Sequence, residues 1–213
     1  MFRFVVPKLN KELQALLDAN SPSPDAVALF VSHLDDFFIT YHEHGLHEER
    51  VLFPQIRRFF PQLNPTMDEE HEYEHAIMEP MIEAIKVWKQ GDTKDPATIA
   101  SLLAAIGPKF PSWSQHLLDH LRNEERTATI VIRKYTTLEQ QKGLANECWE
   151  LTPIDHWVRI IPYTIRNLPV PMWKVWQLPK LFLLNSLGPL HQNFYLGLPR
   201  SCPANWINLL SWS

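Results

Sequence analysis

Residues 44–54 read His44-Gly45-Leu46-His47-Glu48-Glu49-Arg50-Val51-Leu52-Phe53-Pro54. His44 and Glu48 stand four apart, and on a helix that spacing puts two side chains on one face, about a turn from each other. The same spacing recurs at His71 and His75 and at His120 and Glu124. Each pair can aim two donor atoms at a common centre, so together they offer four imidazoles and two carboxylates. Carboxylates can bridge two cations, and imidazoles suit iron, zinc or copper. A single pair of this kind is more often a solvated helix face. Three in succession, one per predicted helix, point to a metal site inside a helical bundle.

The helices that would carry the pairs are read outward from them. Leu9, Leu13, Leu16 and Leu17 give Lys8–Ala19 a helical period. Asn20-Ser21-Pro22-Ser23-Pro24-Asp25 then breaks the chain and caps a long second helix, with Val27, Leu29, Phe30, Leu34, Phe37, Phe38 and Tyr41 expected inward. That helix runs at least to Phe53, where Pro54 bends or ends it. Pro65 and the acidic turn Asp68-Glu69-Glu70 open a third, carrying Ile77, Met81, Ile85 and Trp88 to a stop at Gly91. Asp95-Pro96 starts a fourth, interrupted at Gly107-Pro108 and Pro111 and resumed over 112–135. No segment alternates as a strand would. The expected fold is all-α: an up-down-up-down four-helix bundle over residues 1–138, with an irregular Pro/Trp-rich C-terminal extension over 139–213 packed on it.

Composition sets further bounds. An apolar fraction of 45% with 21% charged residues argues against wholesale disorder. The net charge of −4 speaks against a nucleic-acid binder. The charge is unevenly spread, since residues 156–213 contain no Asp or Glu and only Arg159, Arg166, Lys174, Lys180 and Arg200 as basic side chains. Cys148 and Cys202 are too far apart for a CxxC pair, which fits a reducing, intracellular and cytoplasmic setting. The N-terminus reads as mature protein, and no apolar run is long enough to span a membrane. Six of the eight tryptophans lie after residue 138. With the basic residues there they offer two readings: burial against the bundle, which is favoured, or contact with a membrane interface.

On His44-x-x-x-Glu48-Glu49 followed by Phe53-Pro54, on Glu70-His71-Glu72-Tyr73-Glu74-His75, and on His120-Leu121-Arg122-Asn123-Glu124-Glu125, the sequence resembles the hemerythrin-like, or HHE cation-binding, family over roughly residues 1–135. The resemblance implies a four-helix bundle with a non-haem di-iron centre. His44, His71, His75 and His120 would be terminal ligands, and Glu48 and Glu124 would bridge or chelate. Glu125 is the reserve for Glu124. The implied cofactor is two iron ions, with zinc or manganese able to use the same ligands, and the implied ligand is dioxygen or a related small diatomic. The family's first helix normally adds a histidine. Here no histidine precedes His33, the corresponding stretch is Phe4-Val5-Val6, and His33 would sit ~16 Å along the axis from His44. Either one metal position is open or filled by water, or this start is truncated or divergent.

Rival readings exist. His71-Glu72-Tyr73-Glu74-His75 is a literal HExxH, in which Glu72 would be the general base of a zinc protease, but a third histidine six residues on is replaced by Met81. A ferritin-like site would use Glu-x-x-His pairs, of which only Glu72/His75 fits. In function, the leading expectation is oxygen binding, or sensing or storage of iron, oxygen or redox state. A di-iron enzyme acting on dioxygen, peroxide or nitric oxide is the first alternative, and a metal-depleted interaction module the second. His42, His47, His116, His156 and His191 are left as neighbours or surface groups, with His47 expected at the surface.

Overall fold

α1 (Phe2–Asp18) begins six residues ahead of the expected Lys8. Pro7 lies inside it and forfeits one bond to the preceding turn. Phe2, Val5 and Val6 extend the buried stripe of Leu9, Leu13 and Leu16 back past that proline, and their burial offsets the loss. The computed structural model describes residues 1–61 and 64–168. Expectations about the remaining tail, including Cys202, His191 and the tryptophans from Trp173 onward, lie outside the described residues.

Ser23 caps α2 (Pro24–His47), its side chain accepting the backbone N–H of Ala26 at 3.2 Å. Buried Val27, Phe30, Val31, Leu34, Phe37, Phe38 and Tyr41 follow the helical period. Leu29 falls off that stripe and is exposed, contrary to its expected inward position. The helix then widens into one π segment, Glu48–Leu52, in which the N–H of Phe53 bonds back five residues to the carbonyl of Glu48. The widening comes directly before Pro54, which has no N–H to give, and lets α3 (Phe53–Phe59) restart with the proline in its first turn. Pro54 thus neither ends nor breaks the rod.

α4 (Asn64–Gln90) buries Met78, Met81, Ile85 and Trp88, while Ile77 stays half-buried beside them. α5 (Pro96–Ile106) starts at Asp95, whose carboxylate accepts the N–H of Thr98 at 2.8 Å. α6 (Phe110–Arg126) and α7 (Ala128–Tyr135) part at Thr127, where an uninterrupted helix to 135 was expected. α1 packs on α2 and α6, and α4 packs on α2, α5 and α6, so four helical rods close a ring around one core. Phe37 sits at its middle, its ring 5.7 Å from Phe2, 6.0 Å from Phe38, 6.2 Å from Phe110 and 5.9 Å from Trp113.

The expected irregular extension begins instead with two helices, α8 (Leu138–Leu151) and α9 (Ile154–Asn167). Thr137 and Gln140 form a reciprocal capping box at the start of α8, a local signal that outweighs the weak apolar period after it. The chain divides into two compact units, Met1–His156 and Trp157–Ser213. α8 belongs to the first, against the π segment. Among the described residues there is no strand, and no helix is long and apolar enough to cross a membrane.

Candidate metal centre

The apolar seam of each rod ends in donor residues. In α4 the stripe Trp88, Ile85, Met81, Met78 continues backward, at alternating steps of three and four, to Glu74 and His71. In α6 it runs Phe110, Trp113, Leu117, His120, Glu124. In α2 it passes Leu34, Phe37 and Tyr41 to His44 and then Glu48 in the π segment. The 3.6-residue period that builds the core therefore carries polar groups inward at the same end of three rods. His71, Glu74, His120, Glu124 and Glu48 are all buried, and His44 is half-buried.

Two groups of donor atoms result, each with all its atoms within 4.8 Å of one another. One is His71, His120 and Glu124, and the other is His44, Glu48 and Glu124. Glu124 belongs to both. Within them His120 Nε2 lies 3.1 Å from Glu124 Oε1, and His44 Nε2 lies 3.1 Å from Glu48 Oε1. His71 Nε2 stands 3.5 Å from Glu48 Oε2, which joins the two groups, and the His71 and His120 rings are 5.1 Å apart. Five of the six residues singled out from sequence are thus brought together. His75 is in neither group. Its Nε2 is 4.0 Å from Glu49 Oε1, on the flank of the site.

The atoms facing the centre are crowded yet lack aligned hydrogen bonds. His44 Nε2, Glu48 Oε2, His120 Nε2 and Glu124 Oε1 are buried without an aligned hydrogen-bond partner. Buried polar atoms left in that state are costly, and metal ligation would satisfy them. Donor types and orphaned atoms together fit bound metal better than a salt-bridge network.

Electrostatics at the site follow from burial against ion pairing. Burial pushes the Glu48 carboxyl above its usual range, more strongly than His44 and His71 pull it down. Burial also opposes charge on His120, but Glu124 and Glu74 together outweigh it and push the imidazole up to about 10. His71 is raised in the same way, burial being overcome by Glu48 and Glu49. Glu124, despite its burial, is held below the usual carboxylate range by His120.

The other candidates resolve by position. Glu125 is exposed and pairs with Arg3, so Glu124 is the carboxylate that faces the groups. Glu72 is exposed, which removes the general base of the zinc-protease reading and the glutamate of the ferritin-like pair. His33 meets Glu12 at 3.1 Å, away from both groups. His47, expected at the surface, is half-buried with Nε2 2.7 Å from the Thr152 hydroxyl. His116 faces α4, with its ring 4.7 Å from Tyr73 and Nε2 3.6 Å from Glu74. His156 Nδ1 lies 2.5 Å from Glu43 Oε1. No histidine comes from α1. Phe2 stands there instead, its ring 5.2 Å from that of His44.

Sequence reasoning missed Glu74, Glu49 and Tyr41. Glu74 is fully buried, and one carboxylate oxygen lies 2.8 Å from His120 Nδ1 while the other accepts the Tyr41 hydroxyl. Continuing the α4 seam backward from Met78 would have found it. No curated protein and no solved structure matches the chain. The family profile of the hemerythrin HHE cation binding domain matches residues 6–128.

Proposed function

The chain belongs to the hemerythrin HHE cation-binding domain family, and on that premise we propose that it holds two iron ions and binds dioxygen or a related small diatomic. The observation that carries this reading is the sharing of Glu124 between two three-residue donor groups. A single carboxylate within reach of two sets of donors is an arrangement that can bridge two cations. His71 and His120 would hold one ion from the buried side, and His44 and Glu48 the other. His75, one turn beyond His71 and next to Glu49, would complete the first set on its flank.

The two positions differ in what this chain provides. The His71 and His120 side is enclosed, both residues being only 3% exposed. The His44 side chain is 31% exposed, and its position draws one imidazole and two carboxylates from the protein. With Phe2 and no donor residue next to His44 from α1, that second position would keep a coordination place for an exogenous ligand. Phe2 supplies an apolar wall that turns water away from one side of it. When bound, the iron pair supplies electron exchange with a diatomic ligand; the protein supplies ligation, enclosure and selective access.

The test is metal analysis of full-length protein purified without chelators, with optical spectra in air and after anaerobic reduction. Two ions per chain and a spectrum that changes reversibly on oxygenation are expected. Turnover of dioxygen, peroxide or nitric oxide without a stable oxygenated form would replace the oxygen-binding reading with the enzymatic one. Protein that takes up no metal would overturn both.

A further inference from the structure

The two buried histidines of the enclosed position are each gripped from behind. His120 Nδ1 lies 2.8 Å from Glu74 Oε1 while its Nε2 faces Glu124. His71 Nδ1 lies 2.9 Å from Glu49 Oε1 while its Nε2 faces Glu48. A carboxylate can only accept, so in each pair Nδ1 carries the hydrogen. In a neutral imidazole the lone pair then belongs to Nε2, the nitrogen that faces the donor groups. The other Glu74 oxygen accepts the buried Tyr41 hydroxyl, and the Trp113 indole N–H donates to the Glu74 backbone carbonyl at 3.0 Å. Glu74 is therefore fixed from α2 and from α6, and its own side chain has no freedom to retreat.

We propose that Glu74 and Glu49 are the positioning residues of this site, setting the tautomer and aim of His120 and His71, with Tyr41 locking Glu74 in place. This rests on the metal-binding reading above and adds to it which residues impose that geometry. The two are unequal. Glu74 is fully buried and doubly held, so no water can take its role. The Glu49 side chain is 39% exposed and sits 4.0 Å from His75 as well, so water can partly replace it. The ranking explains why HxxxH is an incomplete description of α4: the turn between His71 and His75 carries a third functional side chain.

The experiment uses full-length protein with cobalt(II) alone as the probe, and compares wild type with Glu74→Gln, Tyr41→Phe and Glu49→Gln. Affinity is read by chelator competition, and the imidazole N–H protons are read as paramagnetically shifted, exchangeable proton resonances. Loss of such a hydrogen-bonded partner typically weakens metal binding about 10–100-fold, and Glu74→Gln is expected in that range. Tyr41→Phe and Glu49→Gln should each cost less. In Glu74→Gln one slowly exchanging shifted resonance should move or vanish, a signature that a general loss of packing would not single out. If Glu74→Gln fails to fold, the Tyr41→Phe variant carries the same test through faster exchange of that resonance. Wild type that binds cobalt, with variants that match it in affinity and in shifted resonances, overturns the positioning role alone. Wild type that binds no cobalt overturns the metal reading and this inference with it.

Discussion

Replacing Glu124 by glutamine keeps the volume of the side chain and removes its charge. In the metal-free protein the consequence can be worked from His120, whose imidazole is 1% exposed and pushed up to about 10 by Glu124 and Glu74 acting against burial. A rise from the ordinary 6.5 to about 10 corresponds to roughly 5 kcal/mol favouring the protonated folded state. Because the folded value is the higher one, this stabilisation is complete below pH 6.5 and is lost as pH rises through about 10. Glu124 is the larger of the two anionic partners, so Glu124→Gln should remove about half of it, on the order of 2–3 kcal/mol near pH 6. For a folded unit of this size that is a fall in Tm of roughly 5–10 °C. The difference from wild type should shrink toward pH 10. Because Glu124 serves both donor groups, the same variant should lose metal from both positions, whereas His44→Ala should lose it chiefly from one. Differential scanning calorimetry of apo protein across pH, with metal analysis of each variant, checks both. A Glu124→Gln protein with wild-type apo Tm at pH 6 and full metal content would refute the reasoning.

Three further outcomes follow from particular contacts. Since the apo site holds a proton on His120 between about pH 6.5 and 10, metal binding should release protons and tighten as pH rises through that window; calorimetric titration in buffers of different ionisation enthalpy reads the release. His71→Ala should reduce metal content more than His75→Ala, because only His71 has its donor atom inside a group; equal losses would place His75 at the centre as well. Thr137→Ala breaks the capping box of α8 and should cost about 1 kcal/mol, visible as faster hydrogen exchange in residues 138–151 with metal content unchanged.

Much of the fold was legible because its signals are local and periodic. The caps at Ser23 and Asp95 and the apolar stripes placed α2, α4 and α5 close to where the structure has them. What escaped has physical causes. The π segment arises from the missing N–H of Pro54 acting through the turn ahead of it, and a proline alone reads equally as a kink or a stop. α8 is polar around most of its circumference and buries no residue fully, so its start is written in Thr137 and Gln140 and hardly at all in hydrophobicity. Within the site, four-residue spacing picked out His44, Glu48, His71, His120 and Glu124, which the fold brings together, and equally His75, which it leaves on the flank. Glu74 continues the α4 seam back from Met78 and so marks itself as inward, but by spacing from His71 it looks like any solvated helix charge. Its role depends on Tyr41 from α2 and His120 from α6, contacts that only the closed ring of helices brings together.

The most direct test of the central claim is metal stoichiometry per chain in wild type, Glu124→Gln and His44→Ala, each purified identically without chelators. Two donor groups joined through Glu124 predict close to two ions in wild type, close to none in Glu124→Gln, and about one in His44→Ala. A wild-type chain that binds no transition metal, or a Glu124→Gln chain that keeps both ions, would contradict it.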